Sequence, residues 1–150
     1  MVRYFEDFSV GEQMVTPRRT VTESDVATFA GLSGDYNPLH MDAVGASKTI
    51  FGQRIAHGLL GLSIASGLGA RLGMFEESVI ALLNVNWNFK GPIFLGDTIH
   101  ARITVAKKRE TSKPDRGVLT RSVELFKQND TVVQQGTITT LVQRRPQQRY

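Results

Sequence analysis

"IAHGLLGLSIASGLGARLG", Ile55 to Gly73, is the stretch that decides how the rest of the chain must be arranged. From Ile55 to Ala70 it carries no formal charge, apart from whatever His57 contributes. A membrane span is one reading. The run is short of the roughly 20 apolar residues a bilayer requires, and Gly58, Gly61, Gly67 and Gly69 interrupt it. The other reading is a helix buried on all sides, its small residues letting other backbone approach closely. Glycine costs helix propensity, so packing must supply the stability. A helix with no polar face needs a layer around it, and the flanking sequence supplies one.

After Gly73 the apolar period changes from helical to alternating. In "LLNVNWNFKG" Val85, Trp87 and Phe89 alternate with asparagines, as in a half-buried strand. "DTIHARITVAKKRE" sets Ile99, Ala101, Ile103 and Val105 against polar neighbours. "GVLTRSVELFKQND" and "TVVQQGTITTLVQRR" give two more strands, with Asn129-Asp130 as the turn between them. Near the N-terminus "EQMVTPRRTV" adds an edge strand, since Pro17 disfavours a central one. The order of strand, helices and then strands predicts an α+β fold. Five or so antiparallel strands curve around one long helix.

Ahead of that helix, "TVTESDVATFAGLSGD" reads as a helix start. Thr22 caps, Asp25 follows three residues later, and Val26, Phe29 and Ala30 form one apolar stripe. Gly31 and Gly34 end it. The chain then enters "DYNPLH", Asp35 to His40, on a loop that Pro38 stiffens by pushing Asn37 into an extended conformation. A second short helix is predicted over Asp42 to Lys48.

With 150 residues and 41 % hydrophobic content, one compact domain over 1–150 is expected. Cysteine is absent, which excludes disulfides and thiolate metal sites and fits a reducing, cytoplasmic setting. "MVRYFEDFSVGEQ" lacks the apolar segment of a signal peptide. The formal net charge is +4, so nucleic acid must be considered. Much of the excess lies in "QRRPQQRY", 143–150, which reads as a solvated basic tail carrying Arg144, Arg145 and Arg149. Elsewhere no basic helix interleaves with aromatics, so no nucleic-acid partner is expected. A mild basic bias also suits a polyanionic small ligand.

Two constellations carry chemistry. Asp35 and His40 put a carboxylate beside an imidazole, and an unperturbed histidine pKa of about 6.5 suits general-base work. The bland alternative makes Asp35 and Asn37 turn formers and His40 a surface residue. His57 and Gly58 begin the apolar helix, where free backbone N–H groups could polarise a carbonyl. There the bland alternative is a helix that merely starts. Together the two could add water across a double bond conjugated to a carbonyl, with neither metal nor redox cofactor. "GLGARLG" lacks dinucleotide-binding spacing, and no Gly-x-Ser-x-Gly elbow marks a serine hydrolase.

At these residues the sequence resembles a known family. "SGDYNPLH", Ser33 to His40, is similar to the signature of MaoC-like, (R)-specific enoyl-CoA hydratases. The resemblance continues through "MDAVGASKTIFGQRIAHGLL" and "NFKGPIFLGDTI". It implies a hotdog fold, with the sheet wrapped around the Ile55–Gly73 helix. It implies hydration of a trans-2-enoyl-CoA to a (3R)-3-hydroxyacyl-CoA, with Asp35 and His40 activating water. The Gly58 N–H would receive the thioester oxygen, Ser66 falls at a supporting serine, and Asn37 orders the loop. Coenzyme A is part of the substrate, and a homodimer or larger homo-oligomer is implied. The alternatives are a dehydratase for branched or dicarboxylic acyl-CoAs and a noncatalytic thioester-binding protein. The presence of both Asp35 and His40 argues against the latter.

Overall fold

The computed structural model describes residues 2–146. After a short 3₁₀ turn at Phe5–Asp7 come β1 (Gln13–Val15), β2 (Arg19–Thr20), α1 (Glu23–Ser33), α2 (Pro38–Met41), α3 (Ala43–Ala46) and α4 (Gly58–Ala70). Four long strands follow: β3 (Val79–Phe89), β4 (Thr98–Glu110), β5 (Arg116–Phe126) and β6 (Val132–Gln143). All pairings are antiparallel, in the order β1-β4-β5-β6-β3, with β2 also on β4. The sheet curves around α4 in the hotdog arrangement that the resemblance implies.

The alternation read from sequence explains the core. Ile99, Ala101, Ile103 and Val105 of β4 are all buried and meet Leu60, Ile64, Ala65 and Leu68 of α4. β1 and β2 are the two pieces of the predicted N-terminal edge strand, separated at Pro17. Asp130 takes a positive φ of 62° in the turn between β5 and β6, where Asn129-Asp130 was expected to turn.

Four expectations change. The helix is shorter than Ile55–Gly73, because Ile55 bridges Phe94 and Ala56 donates to the Ile93 carbonyl at 2.7 Å before the helix begins. Side chains, rather than other backbone, approach its glycines: a Cβ at Gly61 would strike Gln134 and Ile93, and one at Gly69 would press on Ile103. The helix is not covered on every side, since Leu59, Ser66 and Ala70 form an exposed stripe beside β3. Residues 143–145 do not form the expected solvated tail. Gln143 belongs to β6, the Arg144 guanidinium pairs with Glu6 at 2.7 Å and Glu110 at 3.1 Å, and Arg145 pairs with Asp7 at 2.6 Å. Arg149 lies outside the described residues.

Candidate active site

The local sequence builds the site as a series of caps. Thr22 and Asp25 form the expected capping box, and Gly34 closes α1 in the left-handed conformation at φ 79°. Asn37 then accepts from the Leu39 N–H at 3.0 Å and caps α2, with Pro38 at its first position. His40 therefore lies on one turn of helix instead of a loop. The predicted Asp42–Lys48 helix is shorter, Ala43–Ala46, and is capped by Asp42.

His40 is buried, and its Nδ1 lies 2.7 Å from the Ile55 carbonyl. A carbonyl oxygen only accepts, so Nδ1 carries the proton and Nε2 of the neutral ring presents a lone pair. Nε2 faces Asp35 Oδ2 at 4.0 Å, too far for a direct bond. A water beside that gap could bond to both. The Asp35 side chain is half exposed, and its Oδ1 accepts from the Asn37 N–H at 3.2 Å.

His57 stacks on His40 with ring centroids 3.8 Å apart and donates from Nε2 to the Asp35 carbonyl at 2.9 Å. Phe29 of α1 packs on its other side at 5.0 Å. This makes His57 a buckle between the α4 start and the Asp35 loop. Its Nδ1 is buried without a partner among the described residues. Directly after it, the Gly58 N–H has no hydrogen-bond partner among the described residues. It borders a cavity of about 350 Å³ lined by Phe51, Phe89, Pro92, Ile93 and Gln134.

Asp35, His40 and His57 bring possible metal-ligating atoms within 4.8 Å of one another. Ring geometry argues against one shared ion. Imidazole lone pairs lie in the ring plane, and these rings stack at 28°, so their lone pairs do not converge at the roughly 2.0–2.1 Å a zinc ion needs.

Thus Asp35, Asn37, His40, His57 and Gly58 come together. Ser66 does not join them within the chain: it lies two turns along α4, in a second cavity with Arg121 and Thr140. Sequence reading missed Gln134. Trp87 Nε1–H donates to Gln134 Oε1 at 2.9 Å, and Gln134 Nε2 donates to the Gly58 carbonyl at 3.0 Å, so β3 and β6 hold the first turn of α4. The available signal was an inward strand position, in phase with Ile138, Thr140 and Val142.

A sheet wrapped around one helix, with a carboxylate and an imidazole brought together near the helix start, defines a protein of the hotdog class. Residues 7–125 match the MaoC like domain, and the chain belongs to that family. It is 41 % identical over 106 residues to an (R)-specific enoyl-CoA hydratase of Rhodospirillum rubrum, covering 70 % of this chain and 71 % of that one. It is 44 % identical over 115 residues to protein MaoC of Klebsiella aerogenes, covering 76 % of this chain but only 33 % of that protein. Among solved structures, the monoamine oxidase regulatory protein of Archaeoglobus fulgidus superposes with a TM-score of 0.89 at 38 % identity, over 97 % of this chain and 98 % of that one.

Proposed function

We propose that the chain is a hydro-lyase that reversibly hydrates a trans-2-enoyl-CoA to a (3R)-3-hydroxyacyl-CoA. The observation that carries this reading is the fixed tautomer of His40, whose Nε2 lone pair faces Asp35 beside an unbonded helix-start N–H. The activity named for the R. rubrum relative supports it.

In this reading the thioester oxygen accepts from the Gly58 N–H, at the positive end of the α4 dipole. Water lies between His40 Nε2 and Asp35. His40 takes one proton as the water oxygen bonds to Cβ, and the pair returns a proton to Cα. The product gains one hydroxyl and one hydrogen, so no metal or redox cofactor is consumed. Coenzyme A enters and leaves as part of the substrate.

A homodimer belongs to the same proposal. β3 is a sheet edge that exposes Val79, Leu82 and Phe89 at 46 %, 64 % and 53 %, beside the bare stripe of α4. A long apolar edge of this kind is a template for pairing, and a two-fold β3–β3 contact would cover both features.

Loss of the conjugated double bond, followed spectrophotometrically over enoyl-CoAs of differing length and branching, tests the reading. Hydration without thiol release is the expected result. Thiol release would make the protein a thioesterase, and no reaction with any substrate would remove the hydratase reading.

A further inference from the structure

Strand β5 puts a cation on its core-facing side. Leu119, Val123 and Leu125 are buried on the inner face, and Arg121 occupies the position in phase with them, paired with Ile138 of β6. A charge facing the core needs compensation. Arg121 Nη2 donates to Thr140 Oγ1 at 2.9 Å, and its guanidinium carbon lies 4.6 Å from the centre of the Phe75 ring. Nε is buried without a partner among the described residues. No carboxylate pairs with Arg121 among the described residues, and burial alone pushes the guanidinium down to about 10. Glu76 also lines the space beside it but forms no ion pair with it.

That space is a cavity of about 380 Å³ between α4 and the sheet, lined by Ser66, Ala70, Leu82, Ile138, Thr140 and Arg121. It lies along the same flank of α4 as the cavity at Gly58. The first borders Gly58, Phe89 and Gln134, and the second borders Ser66, Leu82 and Thr140. Eight residues of helix separate Gly58 from Ser66, or about 12 Å. The two cavities share no lining residue, so an acyl chain held by its thioester at Gly58 would pass from one to the other along α4 to reach Arg121.

We propose that Arg121 receives a carboxylate carried on the acyl part of the substrate, so that the enzyme acts on dicarboxylic acyl thioesters in preference to plain fatty ones. This rests on the hydratase reading. A carboxylate would fill the idle Nε–H and an Nη–H in the two-pronged geometry guanidinium favours. A methyl-ended chain would leave the half-buried guanidinium unpaired, so the site rejects it as well as preferring the acid.

The test compares two enoyl-CoA series of matched length, one ending in methyl and one in carboxylate, on wild type, Arg121→Met and Arg121→Lys. Calorimetric binding of the matching saturated acyl-CoAs needs no turnover. Free coenzyme A, whose phosphates are the other anions present, is the control. Wild type should prefer the carboxylate by about 10- to 100-fold in kcat/KM and in binding. Arg121→Met should erase the preference, Arg121→Lys should keep part of it, and free coenzyme A should bind all three alike. Arg121→Met removes a half-buried charge that has no carboxylate partner among the described residues and should fold; if it does not, the partial loss in Arg121→Lys decides. A wild-type preference for the methyl series, a preference unchanged in the variants, or coenzyme A binding that falls with Arg121 would overturn the proposal. If no enoyl-CoA is turned over, the hydratase reading fails, while the binding comparison still decides the role of Arg121.

Discussion

Because a carbonyl oxygen cannot donate, two backbone carbonyls dictate which nitrogen of each imidazole at the site carries a hydrogen, and so the tautomer of each ring when it is neutral. Ile55 commits His40 Nδ1 and Asp35 commits His57 Nε2, leaving His40 Nε2 as the lone pair aimed at the Asp35 carboxylate. Gly58 gives a prediction at this scale. A Cβ there would lie 3.0 Å from the Phe89 ring, which is half exposed in the single chain and needs to shift by only a few tenths of an ångström to admit it. Gly58→Ala should therefore keep its stability within about 1 kcal/mol, since alanine also favours helix. Gly58→Val should lower turnover more than melting temperature, by up to about 10²-fold, because a misplaced thioester is costly. Variants that melt early, yet turn over normally in the folded fraction, would make Gly58 a packing residue. The residues of "DYNPLH" were legible because caps, turns and acid/base groups have local signatures. Arg121 and Gln134 were not. Each is an ordinary polar residue until strand phase sets it on the inner face, and in β6 that phase is blurred by the adjacent burial of Val133 and Gln134.

At the scale of elements, α4 was legible as a helix without a polar face. Its exposed stripe was not, because apolar content reports what wants covering and not what covers it. The turn into β4 shows what fixes the sheet beside the site. Asp97 accepts from the Phe94 N–H at 2.7 Å and from Gln128 at 2.9 Å, and pairs with Lys127 at 2.9 Å. Burial alone would raise its carboxyl, but the Gln128, Lys127 and Phe94 bonds outweigh it and hold it below the ordinary carboxylate range. The unfolded carboxyl titrates near about 3.9. The stabilisation is thus complete above that pH and is lost as pH falls toward the folded value. Asp97→Asn should cost about 2 kcal/mol at neutral pH and flatten the acid limb of stability measured by urea unfolding. An acid limb identical to wild type would show that Asp97 does not set it.

For the whole molecule, the alternation of β4 and the apolar character of α4 already required a sheet around a helix. β3 alternated like the others but is exposed in the single chain, and under the homodimer proposal a second copy covers it. Under the homodimer proposal wild type should sediment as a dimer at micromolar concentration, and Leu82→Glu with Val85→Lys should give a monomer. A fully active wild-type monomer would contradict the β3 pairing. The central claim is that Asp35 and His40 share one water above an enoyl thioester. Its most direct measurement is the hydration rate of wild type, Asp35→Asn and His40→Gln on the best enoyl-CoA, with circular dichroism confirming that all three fold. The account predicts losses of about 10²–10⁴-fold in each variant with unchanged folding. Near wild-type turnover in either folded variant would contradict it.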